Sequence, residues 1–288
     1  MTTPIRVGLV GREILASRSP WMHEQEARAH GLALSYELVD FTARGLADAE
    51  LPRVLDKLEA EGFAGVNVTY PFKQKAFELL GRVAPEARLI GAVNTIRFRD
   101  RESGGERIGF NTDVVGFADA VRTSLAGASL DSVVQVGAGG GGSATAFALL
   151  GVGARRLTLF DASARNAAAL VDRLGYAYAN REIAVGTEAD LAWALRGATG
   201  IVNATPLGMA KSPGMPLPPE LIEPRHWVAD IVYFPLETQL LREAAAKGCR
   251  VLDGSAMAVG QAAAAFELFT GRAADRERML ASFRAFSR

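Results

Sequence analysis

Residues 132–149 read Ser132-Val133-Val134-Gln135-Val136, then Gly137-Ala138-Gly139-Gly140-Gly141-Gly142-Ser143, then Ala144-Thr145-Ala146-Phe147-Ala148-Leu149. The β-branched run predicts a strand, the glycines a turn, and the alanine-rich stretch a helix. Gly137, Gly139 and Gly142 match the spacing G-x-G-x-x-G. In that pattern the first glycine makes a tight turn and the second lets a pyrophosphate approach the backbone. The third lets the helix lie close, and the helix N-terminus faces the negative charge. A second apolar run, residues 157–160, ends in Asp161, about 20 residues further on, where an acid would meet a ribose. A run of glycines could also be a flexible linker, but the apolar flanks on both sides argue against it.

The turn therefore predicts that Gly137, Ala138, Gly139, Gly140 and Gly141 hold a dinucleotide. A carboxylate at Asp161 would accept from the ribose hydroxyls and repel a 2′-phosphate, which favours NAD over NADP. Asp161 also suits the N-cap of the next helix, and both roles are compatible. Arg155, Arg156 and Arg165 lie nearby in the chain, so NADP stays open, and Arg165 is placed at the cofactor's adenosine end.

The rest of the chain supplies a frame for that unit. Residues 5–10, 34–41 and 63–68 read as strands, and residues 51–60 as a helix. Pro20 opens a helical stretch that Gly31 can close, and Pro71 opens another running to Gly81. Residues 92–98 and 107–110 flank a polar hairpin tip at 100–105. Strands follow at 201–203, 228–232 and 249–252, with helices at 113–125, 163–174 and 238–247, and everything from Met257 onward reads as helix. Alternation of this kind predicts an α/β chain with parallel, doubly wound sheets. It divides into two α/β units, the second starting near Asp113.

With 288 residues the chain has room for about two domains. Its 49% hydrophobic and 22% charged residues are those of an ordinary globular protein. A formal net charge of zero gives no long-range attraction to nucleic acid or an acidic membrane surface, so neither is expected as a partner. One cysteine, Cys249, forms no internal disulfide and reads as buried filler. The start lacks a basic segment followed by an apolar run, and no stretch of roughly 18 apolar residues occurs; a cytoplasmic location is expected. His23, His30 and His226 lack the spacing of a metal site, so no metal is expected.

Oxidising an alcohol requires a group that takes the hydroxyl proton. Lys73 in Asn67-Val68-Thr69-Tyr70-Pro71-Phe72-Lys73 lies where a strand becomes a helix. There the helix dipole disfavours a cation, which suits an acid–base amine. Asn111-Thr112-Asp113 ends a strand and opens a helix, and Asp113 could pair with Lys73. From spacing alone a solvated Lys73 and a helix-capping Asp113 are equally good readings.

With these motifs in place, nearly the whole chain resembles the shikimate dehydrogenase family. Gly65-Val66-Asn67-Val68-Thr69-Tyr70-Pro71-Phe72-Lys73, Gly91-Ala92-Val93-Asn94-Thr95 and Gly109-Phe110-Asn111-Thr112-Asp113 are similar to its motifs. So are Ser17-Arg18-Ser19-Pro20 with His23, Asn203-Ala204-Thr205-Pro206-Leu207-Gly208-Met209, Asp230-Ile231-Val232-Tyr233, and Asp253-Gly254 with Met257 and Gln261. The resemblance implies reversible NAD(P)-dependent oxidation of shikimate to 3-dehydroshikimate. It implies a substrate domain at 1–113 completed by 255–288, and a Rossmann-type nucleotide domain at 114–254. Lys73 would be the acid–base group with Asp113 its partner. Ser17 and Ser19, with Tyr233, would bind the substrate carboxylate; Thr69, Asn94 and Gln261 would bind the ring hydroxyls. Thr205, Met209, Val232, Gly254 and Met257 would line the nicotinamide side.

Several positions depart from the family pattern. Arg12-Glu13-Ile14-Leu15-Ala16 stand where a proline and a histidine are usual, and Tyr70 fills a place usually small and apolar. Asp161-Ala162-Ser163 replaces the NADP-type Asn-Arg-Thr. Residues 228–241 resemble most the NAD-using quinate/shikimate branch, while Ser19, in place of that branch's frequent threonine, leans toward shikimate. The readings carried forward are an NAD-preferring shikimate dehydrogenase that also takes quinate, and a quinate-preferring one. A catalytically silent dinucleotide sensor and a dehydrogenase of another substrate rank below them. The assembly state is left open, a homodimer included.

Overall fold

Ile5–Gly11 (β1) is buried without a break from Val7 to Gly11, the pattern of a strand covered on both faces. It pairs in parallel with Leu34–Asp40 (β2) on one side and Phe63–Val68 (β3) on the other. The computed structural model describes residues 4–98 and 105–286. It divides into two compact units, residues 1–112 with 259–288, and residues 113–258.

In the first unit, Ser19–Ala29 (α1) carries Pro20 in its first turn, and Gly31 follows it with φ +67. Leu51–Ala60 (α2) also has proline at its start. The helix expected from Pro71 to Gly81 is shorter, Lys73–Glu78 (α3). Phe72 N donates to Thr69 O and closes a turn first, so Lys73 becomes the helix's first residue. Arg82–Val83 (β4), Pro85–Ile90 (α4), Thr95–Arg97 (β5) and Ile108–Phe110 (β6) complete a six-stranded sheet of order β2-β1-β3-β5-β6-β4. This sheet is mixed, not parallel throughout: β5 runs antiparallel to both β3 and β6. The six-residue α4 is too short to carry the chain back to the sheet's starting end, as a parallel crossover requires. Residues 100–104 of the expected hairpin tip fall outside the described residues. Val10, Val39, Phe41, Leu55, Val66 and Phe72 centre one core cluster.

The second unit begins in Thr112–Ser124 (α5) and alternates strand with helix except between its fourth and fifth strands, which only a short 3-10 turn, Pro219–Leu221, separates. Ser132–Val136 (β7), Gly140–Gly151 (α6), Arg156–Phe160 (β8), Ala164–Ala177 (α7), Glu182–Val185 (β9) and Leu191–Gly197 (α8) form its first half. Gly200–Asn203 (β10), Trp227–Asp230 (β11), Gln239–Ala246 (α9) and Arg250–Leu252 (β12) form its second. All its strands are parallel, in the order β12-β11-β10-β7-β8-β9. Read from the other edge this is the 3-2-1-4-5-6 order of a doubly wound dinucleotide sheet, whose binding crevice lies outside the strand C-termini where the order reverses. Here that is between β7 and β10.

The C-terminal stretch, expected to be helical throughout, is two helices with a break at 271–275. Gly254–Thr270 (α10) ends before Gly271, whose φ is +67, and Arg276–Ala285 (α11) starts at Asp275, whose carboxylate accepts from Arg278 N. No helix among the described residues is long and apolar enough to cross a membrane.

Candidate active site

At the C-terminal edge of the second sheet, the glycine turn is locked by groups the sequence pattern does not name. Gly137 has φ +108, and an added Cβ would stand 2.5 Å from Ala204 O. A Cβ on Gly142 would stand 2.2 Å from Gly137 O, so helix α6 reaches the strand only because neither residue has a side chain. Gln135, fully buried in β7, donates through Nε2 to Gly137 O and Gly142 O, both at 2.8 Å. Its Oε1 accepts from Thr145 Oγ1 at 2.9 Å. A long polar side chain among the valines of the strand, two residues before the first glycine, was the available signal. Gly139, by contrast, has open space above it and is exposed. That opening at the start of a twelve-residue helix fits a pyrophosphate, which takes N–H donors that the helix's first turn cannot satisfy internally.

Asp161 stands beside the turn. Its Oδ2 accepts from Ala138 N at 2.7 Å and its Oδ1 from Ser163 N at 2.8 Å. The N-cap of α7 is Ser163, whose hydroxyl accepts from Asn166 N, so Asp161 closes the turn and does not itself cap the helix. Arg165 is exposed in the first turn of α7. Across the switch point, Thr205 turns its hydroxyl inward: Oγ1 donates to Asn203 Oδ1 at 2.7 Å and accepts from Leu207 N. Met209 and Tyr233 are 40% and 46% exposed at this edge, while Val232 and Met257 are buried. Gly254 packs against the Ile231 and Val232 carbonyls.

In the first unit the structure joins Ser17 and Ser19. Ser17 Oγ lies 3.2 Å from Ser19 Oγ and accepts from Ser19 N. Their loop is pinned at both ends. Asp40 Oδ1 and Oδ2 accept from Glu13 N and Ile14 N, and Arg12 N donates to Tyr70 O. At the far end, Arg18 donates to Phe283 O and lies over the Phe283 ring at 4.6 Å. His23 Nδ1 donates to Ser19 O at 2.9 Å. Asp40, and Phe283 as the partner of Arg18, lie far off in sequence and escaped sequence reasoning.

Thr69 N donates to Val10 O, which places Thr69 beside the end of β1. Lys73 is half-buried at the start of α3, and its carbonyl accepts from Val93 N at 2.9 Å. Asn94 is 3% exposed; its Oδ1 accepts from Thr112 N at 2.8 Å and its Nδ2 donates to Thr112 Oγ1 at 3.0 Å. Asn94 thus holds the segment that leads into Asp113. Asn67 extends the same network, accepting from Tyr36 and donating to Thr95. Asp113 is buried in the first turn of α5, and Gln261 is half-buried in α10. No cluster of metal-ligating residues occurs among the described residues.

Together these features define a dinucleotide-binding α/β protein of two units, one with the glycine turn and the other with the lysine turn. Residues 9–96 match the model of the shikimate dehydrogenase substrate binding domain, and residues 254–282 that of the shikimate 5′-dehydrogenase C-terminal domain. The chain is 50% identical to a shikimate dehydrogenase (NADP(+)) of Pseudarthrobacter chlorophenolicus, over 96% of this chain and 93% of that one. It is 43% identical to a quinate/shikimate dehydrogenase (NAD(+)) of Corynebacterium efficiens, over 97% of each. Among solved structures, quinate dehydrogenase from Corynebacterium glutamicum in complex with NAD superposes with a TM-score of 0.91, at 40% identity, over 98% of this chain and 99% of that one. The chain belongs to the shikimate dehydrogenase family and is an oxidoreductase.

Proposed function

We propose that the protein catalyses the reversible oxidation of shikimate to 3-dehydroshikimate with NAD preferred over NADP, and that it also accepts quinate. The observation that carries this reading is the pinned Ser17–Ser19 pair in the same unit as the Lys73 turn. Hydroxyl donors suit a substrate carboxylate, and a half-buried amine at a strand–helix turn suits a ring hydroxyl's proton. The nicotinamide, when bound at the second sheet's edge, supplies the hydride acceptor. Lys73 Nζ takes the proton of the hydroxyl that is oxidised, with Asp113 its partner in proton transfer. Thr69, Asn94 and Gln261 read the ring hydroxyls, and Tyr233 assists at the carboxylate. Gly137 to Gly141 hold the pyrophosphate, and Met209, Val232, Gly254 and Met257 line the nicotinamide.

NAD preference rests on Asp161. Each carboxylate oxygen has two acceptor sites, and each is given one backbone N–H here. Capacity remains for ribose hydroxyls, and the negative charge opposes a 2′-phosphate. One observation favours NADP as a second reading: exposed Arg165 lies in the first turn of α7, and the relative from Pseudarthrobacter chlorophenolicus bears NADP(+) in its name. Absorbance of nicotinamide reduction, crossing shikimate and quinate with NAD and NADP, tests both. The expected result is the highest kcat/KM for shikimate with NAD; a clear preference for NADP overturns the cofactor assignment.

A further inference from the structure

We infer that Asn203 and Asp230 are a positioning pair that sets the two loops flanking the nicotinamide end of the site. They are the last residues of neighbouring parallel strands and stand opposite one another in register. Both are buried, at 0% and 2% exposure, where an unpaired amide or carboxylate would carry a heavy cost. Both are instead fully engaged with the loops that follow. Asn203 Nδ2 donates to Asp230 Oδ1 at 3.0 Å and to Leu207 O at 2.9 Å. Asn203 Oδ1 accepts from Thr205 N at 3.0 Å and Thr205 Oγ1 at 2.7 Å. Asp230 Oδ1 also accepts from Val232 N at 2.9 Å, and Oδ2 accepts from Thr238 Oγ1 at 2.8 Å.

One chain of hydrogen bonds therefore runs from Thr205 and Leu207, through the pair, to Val232 and Thr238. It ties the loop carrying Met209 to the loop carrying Tyr233. The loops also touch directly: an added Cβ on Gly208 would stand 3.2 Å from Thr238 Cγ2. Thr238 in turn caps α9 by accepting from Leu241 N, so the second loop is anchored at both ends. Above this buried layer Met209, Tyr233 and Phe234 stay 40–57% exposed. The pair thus fixes where exposed apolar side chains sit without being exposed itself.

The inference rests on the proposed dinucleotide reading, and the experiment separates the two. Binding of NADH and NADPH is followed by their fluorescence, and turnover is measured with shikimate, for wild type, Asp230→Ala, Asp230→Asn and Thr205→Val. Melting curves confirm that each variant is folded. Asp230→Ala is expected to lower kcat on the order of 10²-fold, as loss of near-attack geometry does, and to weaken dinucleotide binding by about tenfold while KM for shikimate moves less than about threefold. Asp230→Asn keeps a carbonyl for Asn203 and Val232 and an amide facing Thr238, so it should restore kcat to within about threefold of wild type. If Asp230→Ala does not fold, Thr205→Val, which removes one arm only, should still cost about three- to tenfold in kcat. Folded variants with wild-type kcat and binding, or a kcat loss matched by lost folded fraction with binding unchanged, overturn the positioning role. Wild type binding neither dinucleotide overturns the functional reading and this inference together.

Discussion

Lys73 is the residue on which the proposed chemistry turns. Lys73→Ala removes the proton acceptor but leaves the Val93–Lys73 backbone bond in place. It should lower kcat on the order of 10²–10⁴-fold, with KM for shikimate changed far less. Stopped-flow and steady-state absorbance measure this; unchanged turnover rejects Lys73 as the proton acceptor. Asp161 carries a second prediction. Asp161→Asn removes the charge while keeping one oxygen acceptor, so the ratio of kcat/KM for NAD over NADP should fall by about tenfold, worth ~1.4 kcal/mol. A ratio that does not move would assign Asp161 to turn closure alone, which its bonds to Ala138 and Ser163 already perform.

At the scale of elements, the glycine turn depends on how near α6 lies to β7. Gly142→Ala would place a methyl 2.2 Å from Gly137 O, a backbone atom that cannot rotate away. The helix start must shift, at a cost of about 1–3 kcal/mol, and the N–H groups facing the pyrophosphate shift with it. The expected outcome is a lower Tm together with weaker NADH binding by calorimetry; a variant with wild-type Tm would mean that the turn absorbs the methyl. The glycine spacing, the strand and the helix were all legible in the sequence, because tight turns leave few residue choices. The Gln135 clamp was not. The groups its amide clamps are backbone carbonyls, which every residue has, so only the fold shows which ones it meets.

Across the whole first unit, the N- and C-terminal stretches are sewn together by one buried cluster on α1. Glu26 accepts from Arg278 Nε and Nη2, from Asp275 N and from His30. Burial pushes its carboxyl up, but these donors outweigh burial and hold it below the usual range. His23, three residues earlier, is fully buried among Tyr36, Phe266 and Phe269. Burial lowers its pKa from 6.5 to about 4, against the pull of the Ser19 carbonyl and Glu26. Below pH 6.5 the unfolded chain takes up a proton that the folded histidine refuses, so stability declines as pH falls toward 4. Both groups thus destabilise the fold on the acid side, and His23 alone accounts for about 3 kcal/mol across that window. Thermal melts between pH 7 and pH 4 should show Tm falling with acid, and His23→Gln should flatten the slope. An unchanged slope would place the acid sensitivity elsewhere.

The alternation of strands and helices, the glycine turn and the ordered family motifs are local patterns, and they determined the α/β class and the oxidoreductase family. Local sequence reads these because backbone geometry and residue type constrain each other within a few positions. Tertiary structure decided the antiparallel β5, since strand direction depends on where a short connection delivers the chain. It also decided that Thr205 turns its hydroxyl inward and that Asn94 secures Thr112. Asn203 and Asp230 lie 27 residues apart in sequence, and they become a pair only when β10 and β11 align. A buried polar group takes the partner that the fold brings to it, and no spacing along the chain encodes that meeting.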